Sequence, residues 1–204
     1  PMTQHSDLTS LWWAGVRAVQ GRRAVTSALK TLETPRPDMV ISVGKAAASM
    51  AAAADDVFGA LPTLIVTKYD HTQDLPKTAE LIEAAHPVPD TNSLRAGARL
   101  REVVAVLPET AHLLMLTSGG ASALAEDLAD GLTFADLARR TQDLLASGQD
   151  IHAMNTLRKS LSRIKGGKLL GGFGGGRVTS LAISDVEGDD LGVIGSGIGD
   201  APSL

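Results

Sequence analysis

The chain has no cysteine among its 204 residues. That excludes disulfides, thiolate nucleophiles and Cys-ligated zinc or iron sites, and makes a reducing, cytoplasmic setting the expectation. Aromatic residues are scarce, with three Phe, two Trp and one Tyr, so there are few platforms on which bases could stack. Basic charge is not in excess: 19 Lys and Arg against 23 Asp and Glu leave a formal net charge of -4. Without a basic stripe to neutralise a phosphate backbone, no nucleic-acid partner is expected. No uncharged stretch reaches the roughly 18 residues of a membrane span. The opening PMTQHSDLTSLWW has no basic segment followed by a long apolar run, so neither a membrane partner nor a signal peptide is expected. Two nucleotide signatures are also missing: G-x-x-x-x-G-K-[ST] occurs nowhere, and no strand-like run leads into G-x-G-x-x-G.

What is present is an ordinary core supply, 44% hydrophobic, enough for one large α/β domain or two small ones. Short β-rich apolar runs at Met39 to Val43, Leu64 to Thr67, Ala79 to Ala84, Leu113 to Thr117 and Thr179 to Ile183 alternate with helical patterns. The helical stretches are Leu8 to Leu32, Ala46 to Val57, Ser93 to Val106, Phe134 to Leu145 and Ile151 to Leu170. Continuous apolar strands separated by helices predict an α/β fold with a parallel sheet covered on both faces. The run Gly171-Gly172-Phe173-Gly174-Gly175-Gly176 reads as a helix end and a joint before the last strand.

Ligands of an open parallel sheet collect at the carboxyl ends of its strands, so the loop leaving each strand is where chemistry is expected. The first strand runs into Gly44-Lys45 and an alanine-rich helix, where helix N-terminal amides and a lysine favour an anion; a tight turn with a solvated lysine fits equally. The fourth runs into Ser118-Gly119-Gly120-Ala121-Ser122, small and hydroxyl-rich, either an anion cradle or a glycine turn with a serine cap. His86-Pro87-Val88-Pro89-Asp90 reads as a stiff turn whose Asp90 or Ser93 caps the next helix; His86 either orients a substrate or shapes that turn.

The stretch Ile151 to Leu170 carries two stripes. Ile151, Met154, Leu157, Leu161 and Ile164 repeat at helical spacing and are predicted to face the core. Asn155, Arg158, Ser162 and Lys165 form an adjacent polar face with no acid on it, for which an anion is the expected partner. After the last strand, Ser184-Asp185-Val186-Glu187-Gly188-Asp189-Asp190 offers carboxylates suited to Mg²⁺ or to taking a hydroxyl proton, and Gly195-Ser196-Gly197 could approach a phosphate. An acidic surface turn is the plainer alternative.

Taken in order, Gly44-Lys45, His86-Pro87-Val88-Pro89-Asp90, Ser118-Gly119-Gly120-x-Ser122, Asn155-x-x-Arg158-Lys159, Ile164-Lys165-Gly166-Gly167-Lys168, Ser184-Asp185-Val186-x-Gly188-Asp189-Asp190 and Gly195-Ser196-Gly197 resemble the glycerate 2-kinases. These proteins carry a C-terminal MOFRL domain, and many were first labelled hydroxypyruvate reductases. The resemblance runs from about Leu11 to the end. It implies a Rossmann-like N-terminal domain over residues 1–204, without the MOFRL domain, and ATP-dependent phosphorylation of D-glycerate at its 2-hydroxyl with Mg²⁺. The implied catalytic residues are Lys45, Arg158 and Asp189, and the implied metal ligands Asp185 and Asp190. Gly44, Ser118, Gly119, Gly120, Ser122, Asn155, Lys165, Ser196 and Gly197 are the implied substrate or phosphate contacts. The expected partners are glycerate and ATP, with a second copy of the chain in a homodimer as a further candidate. The chain departs from the family pattern at Ala153, Ser160 and Glu187, where a glutamate, a histidine and a proline are common. Two other readings stand beside the kinase: a catalytically inactive binding module, and an NAD(P)H-dependent hydroxypyruvate reductase.

Overall fold

In a computed structural model, residues 21–148, 151–184 and 186–201 are described. Five strands, β1 (Met39–Val43), β2 (Thr63–Lys68), β3 (Ala79–Ala84), β4 (His112–Ser118) and β5 (Arg177–Ile183), form one sheet in the order β3-β2-β1-β4-β5. Every pairing is parallel, so the predicted α/β parallel sheet is the observed one. The helices are α1 (Gly21–Thr31), α2 (Ala47–Phe58), α3 (Thr91–Val106), α4 (Ala121–Leu124), α5 (Phe134–Ala146), α6 (Ile151–Leu161) and α7 (Lys168–Gly171), followed by a 3-10 turn at Ile194–Ser196. Of the helix expected over Leu8 to Leu32, residues 8–20 lie outside the described residues.

Strand alternation sends the core to both faces. Ile41 and Val43 join Leu64, Val66, Leu113 and Met115 beneath Leu100 and Val104 of α3. Val40, Leu114 and Leu116 face the other way, beneath Val25 and Leu29 of α1 and Met50 of α2. Each such Leu, Ile or Val removed from water contributes roughly 1.5–3 kcal/mol. Small residues on α2 let it lie close to the sheet, with Ala47 and Ala51 against Ile65. Asp90 caps α3 in a reciprocal box with Ser93, as its place before the helix predicts. No helix among the described residues is long and apolar enough to cross a membrane.

Topology fixes where a ligand belongs. From β1 the chain moves outward through β2 to β3, then returns to β4 on the opposite side of β1 and continues to β5. The order therefore reverses between β1 and β4, and the crevice outside their carboxyl ends is the switch point of the sheet.

One predicted element is corrected. The helix expected to reach Leu170 ends at Leu161 and is followed by a turn and the separate short helix α7. Ser162 forms an antiparallel bridge with Leu128, and its hydroxyl accepts from the amides of Ile164 and Lys165, a local bond that competes with helix continuation. Gly166 and Gly167 then take left-handed conformations, φ 62° and 78°, a helix-stopping geometry that suits glycine. The ammonium of Lys168 donates to the carbonyls of Lys159 and Ser162, closing the end of α6. Asn155 and Arg158 remain on the helix, whereas Ser162 and Lys165 lie beyond it, so the four do not share one helical face.

Candidate active site

The loops after β1 and β4 meet at the switch point. Gly44 has φ 131°, and a Cβ there would lie 2.2 Å from Ser118 Oγ and 2.5 Å from the Ser118 carbonyl oxygen, so a residue without a side chain is required. The amide of Lys45 donates to the Gly119 carbonyl (3.0 Å) and that of Ala46 to Ser118 Oγ (3.1 Å). Two amides expected to face an anion are thus occupied in joining the loops, and Ser118 is buried. What remains presented at this point is the exposed Lys45 side chain. It lies beside Gly120, and the His86 imidazole lies against the same position. Burial lowers the affinity of His86 for a proton below the ordinary histidine value, with the charges of Lys45 and Lys68 adding to the effect, so the ring is neutral at pH 7. Toward β2 the same edge opens into a cavity of about 330 Å³ lined by Lys45, Ala48, Ser49, Asp70 and His71. His71, which sequence reasoning missed, has its Nδ1 3.3 Å from the Lys45 carbonyl oxygen; its only signal is a position three residues past the end of β2.

A second group lies on the β5 side. Ser122 Oγ is 2.9 Å from Ser196 Oγ, which also donates to Asn155 Oδ1 at 3.4 Å. Ser196 is buried and left-handed at φ 59°, between Gly195 and Gly197, which are also left-handed. The amides of Gly166 and Gly167 donate to the carbonyls of Ser196 and Gly197, both at 2.9 Å, stacking the two glycine turns back to back. Ser196 and Gly197 therefore sit inside this stack.

Lys165 overturns the picture of an uncompensated cationic stripe. Its ammonium is buried and donates to the carboxylate of Glu126, equally buried. Burial pushes the Lys165 ammonium below its usual range; Glu126 pulls it back up, and the like charge of Arg158 lowers it further. No acid among the described residues forms an ion pair with Arg158. Glu126 was invisible to spacing arguments because it lies 39 residues from its partner.

The acidic turn is different again. Asp189, left-handed at φ 52°, and Asp190 are both exposed, and Asp190 accepts the Gly192 amide at 2.8 Å through Oδ1. Asp185 lies outside the described residues. No group of three or more His, Cys, Asp or Glu able to hold a metal ion occurs among the described residues.

A family model described as "Domain of unknown function (DUF4147)" matches residues 7–201. The chain belongs to the DUF4147 family. Among its relatives, this DUF4147 chain is 40% identical to a D-glycerate 2-kinase of Thermotoga maritima over 184 residues, 89% of this chain and 44% of that protein. It is 44% identical to a putative hydroxypyruvate reductase of Agrobacterium vitis over 161 residues, 78% of this chain and 42% of that protein. The crystal structure of a glycerate kinase from Thermotoga maritima superposes with a TM-score of 0.89 at 36% identity, covering 98% of this chain and 48% of that one. The chain thus spans less than half the length of these relatives, and the kinases among them agree with the resemblance drawn from its seven motifs.

Proposed function

We propose that this chain is the Rossmann-like N-terminal domain of a glycerate 2-kinase, transferring a phosphoryl group from ATP to the 2-hydroxyl of D-glycerate. The observation that supports this most directly is the exposed Lys45 held at the switch point by Gly44, Ser118 and Gly119, in a chain similar to glycerate kinases. Of the cations proposed for the site, Lys45 and Arg158 have no ion-pair partner among the described residues and would meet carboxylate or phosphate oxygens; such a charge-assisted contact is roughly twice as strong as a neutral one. Gly120 lies beside Lys45, and Ser122 and Asn155 both contact Ser196. In the reaction the 2-hydroxyl oxygen of glycerate bonds to the γ-phosphorus as the bond from that phosphorus to its bridging oxygen breaks. ADP leaves and the hydroxyl proton passes to a carboxylate, for which Asp189 is the proposal. Magnesium bound with ATP would need only about one or two carboxylates beside the phosphate oxygens, and Asp185 and Asp190 are the ones proposed to hold it.

The test is ADP release coupled to glycerate, with the full translation product of the reading frame. Glycerate-dependent release is expected, with product phosphorylated at C2, and Lys45→Ala is expected to lower kcat/KM by about tenfold or more, one lost charged contact. No release with glycerate, or a Lys45→Ala variant indistinguishable from the parent, would remove the proposal. The name of the Agrobacterium relative keeps a second reading open, reduction of hydroxypyruvate. Against it, β1 leads into Gly44-Lys45 rather than a dinucleotide glycine fingerprint, and NADH oxidation in the presence of hydroxypyruvate decides it. Calorimetric binding of glycerate and ATP without turnover would instead favour an inactive module.

A further inference from the structure

Glu126 and Lys165 form an ion pair whose side chains are each 1% exposed. Every other ion pair among the described residues has a partner at least 38% exposed. Surface pairs contribute little, whereas removing one member of a buried pair leaves an uncompensated charge. A buried pair of this kind calls for a physical reason, and its position supplies one.

The Glu126 main chain is fixed to α3. Its amide donates to the Ser93 carbonyl at 2.9 Å, and its own carbonyl oxygen would lie 2.1 Å from a Cβ at Gly97, so helix and segment touch at van der Waals limit only because position 97 has no side chain. The second Glu126 carboxylate oxygen accepts the Asp127 amide at 3.0 Å, which orients the carboxylate. At the other end, Lys165 directly precedes the two glycines whose amides hold the carbonyls of Ser196 and Gly197. Ser196 in turn reaches Ser122 and Asn155, and Ser122 lies four residues before Glu126. These contacts make a closed ring: the loop after β4, Ser122, Ser196, the stacked glycine turns, Lys165, Glu126, and back along the chain to α4.

Resting on the kinase reading, we infer that Lys165 is a positioning residue that acts through Glu126, rather than a ligand of the substrate anion. The pair locks the ring that holds Ser122, Ser196 and Asn155 beside the Gly119-Gly120 loop. With Lys165 neutralised internally, Lys45 and Arg158 are the cations proposed for the site that remain to meet the substrate. A displaced loop misplaces reacting groups without removing a binding charge, and misplacement on the order of 1 Å can lower turnover about a hundredfold.

The experiment compares Lys165→Met with the double variant Glu126→Gln/Lys165→Met in the full translation product, measuring melting temperature, kcat and the KM for glycerate. Lys165→Met is expected to melt lower and to lose about tenfold to a hundredfold in kcat, with KM within about threefold of the parent. The double variant, which buries no net charge, is expected to regain most of both losses. A double variant that melts like the parent but keeps a KM raised tenfold or more would make Lys165 a substrate ligand and overturn the inference. So would a Lys165→Met protein that melts lower with unchanged kcat, because the pair would then be structural alone. If Lys165→Met does not fold, acylation of the native parent with an amine-reactive ester, read by mass spectrometry, decides. Lys165 is expected to stay unmodified while Lys45 reacts; modification of Lys165 that glycerate suppresses overturns the inference. A parent without glycerate-dependent turnover is a failure of the kinase reading, and is distinct from all of these outcomes.

Discussion

The loops after β1 and β4 and the paired glycine turns on the β5 side use the same residue types to opposite electrostatic ends. At the switch point, Gly44 and Ser118 let two backbones cross so closely that the main-chain donors are consumed and one lysine is left exposed. On the β5 side, Gly166, Gly167, Gly195 and Gly197 also let backbones stack, but the lysine among them is turned inward onto a carboxylate. Both regions carry a glycine-lysine signature in sequence. What separates them is whether an acid from elsewhere in the chain reaches the lysine, and that is a property of the fold.

Four substitutions test this contrast. Glu126→Ala should be the most damaging, leaving the Lys165 ammonium buried beside Arg158; a loss of about 3–5 kcal/mol in urea unfolding is expected, and a loss under 1 kcal/mol would show that the pair is not tightly held. Gly44→Ala should cost about 1–3 kcal/mol through its left-handed backbone and the collision with Ser118, read as a lower melting temperature. Ser162→Ala leaves the amides of Ile164 and Lys165 without their hydroxyl acceptor and should cost about 1 kcal/mol, with faster amide hydrogen exchange confined to residues 162–167. Lys45→Ala should change stability by no more than about 0.5 kcal/mol, as expected of an exposed side chain, while weakening glycerate binding in calorimetry. An equal stability loss at Lys45 and at Glu126 would erase the distinction between the two regions.

The sheet was legible because β1, β2 and β4 have apolar runs too continuous for a solvent-facing ladder. Its ends were read short where polar residues carry the pairing onward: His112 and Ser118 extend β4, and Thr63 and Lys68 extend β2. Gly44-Lys45 and Ser118-Gly119-Gly120 could be placed from sequence because strand ends dictate where an open sheet presents its loops. The α6 error arose because Leu161 and Ile164 preserve a helical period while belonging to different structures: Ile164 is fully buried from a turn, in the same core as Leu169 and Leu170. Periodicity reports which side chains are buried, not which backbone presents them. The opposing acid was illegible for another reason. Spacing rules reach three or four residues, and Glu126 meets Lys165 across 39.

That span has a consequence for how the chain comes together. As synthesis proceeds from the N-terminus, β1 to β4 and α3 are complete before Lys165 has been made. Gly97 already offers the surface against which the 126 backbone will lie. The carboxylate leaves water without its counter-charge only by taking a proton or at a cost of several kcal/mol, so closure over Glu126 is favoured once the turn after α6 is in place. Residue 165 is thus the counter-charge that lets the domain close over an ionised Glu126.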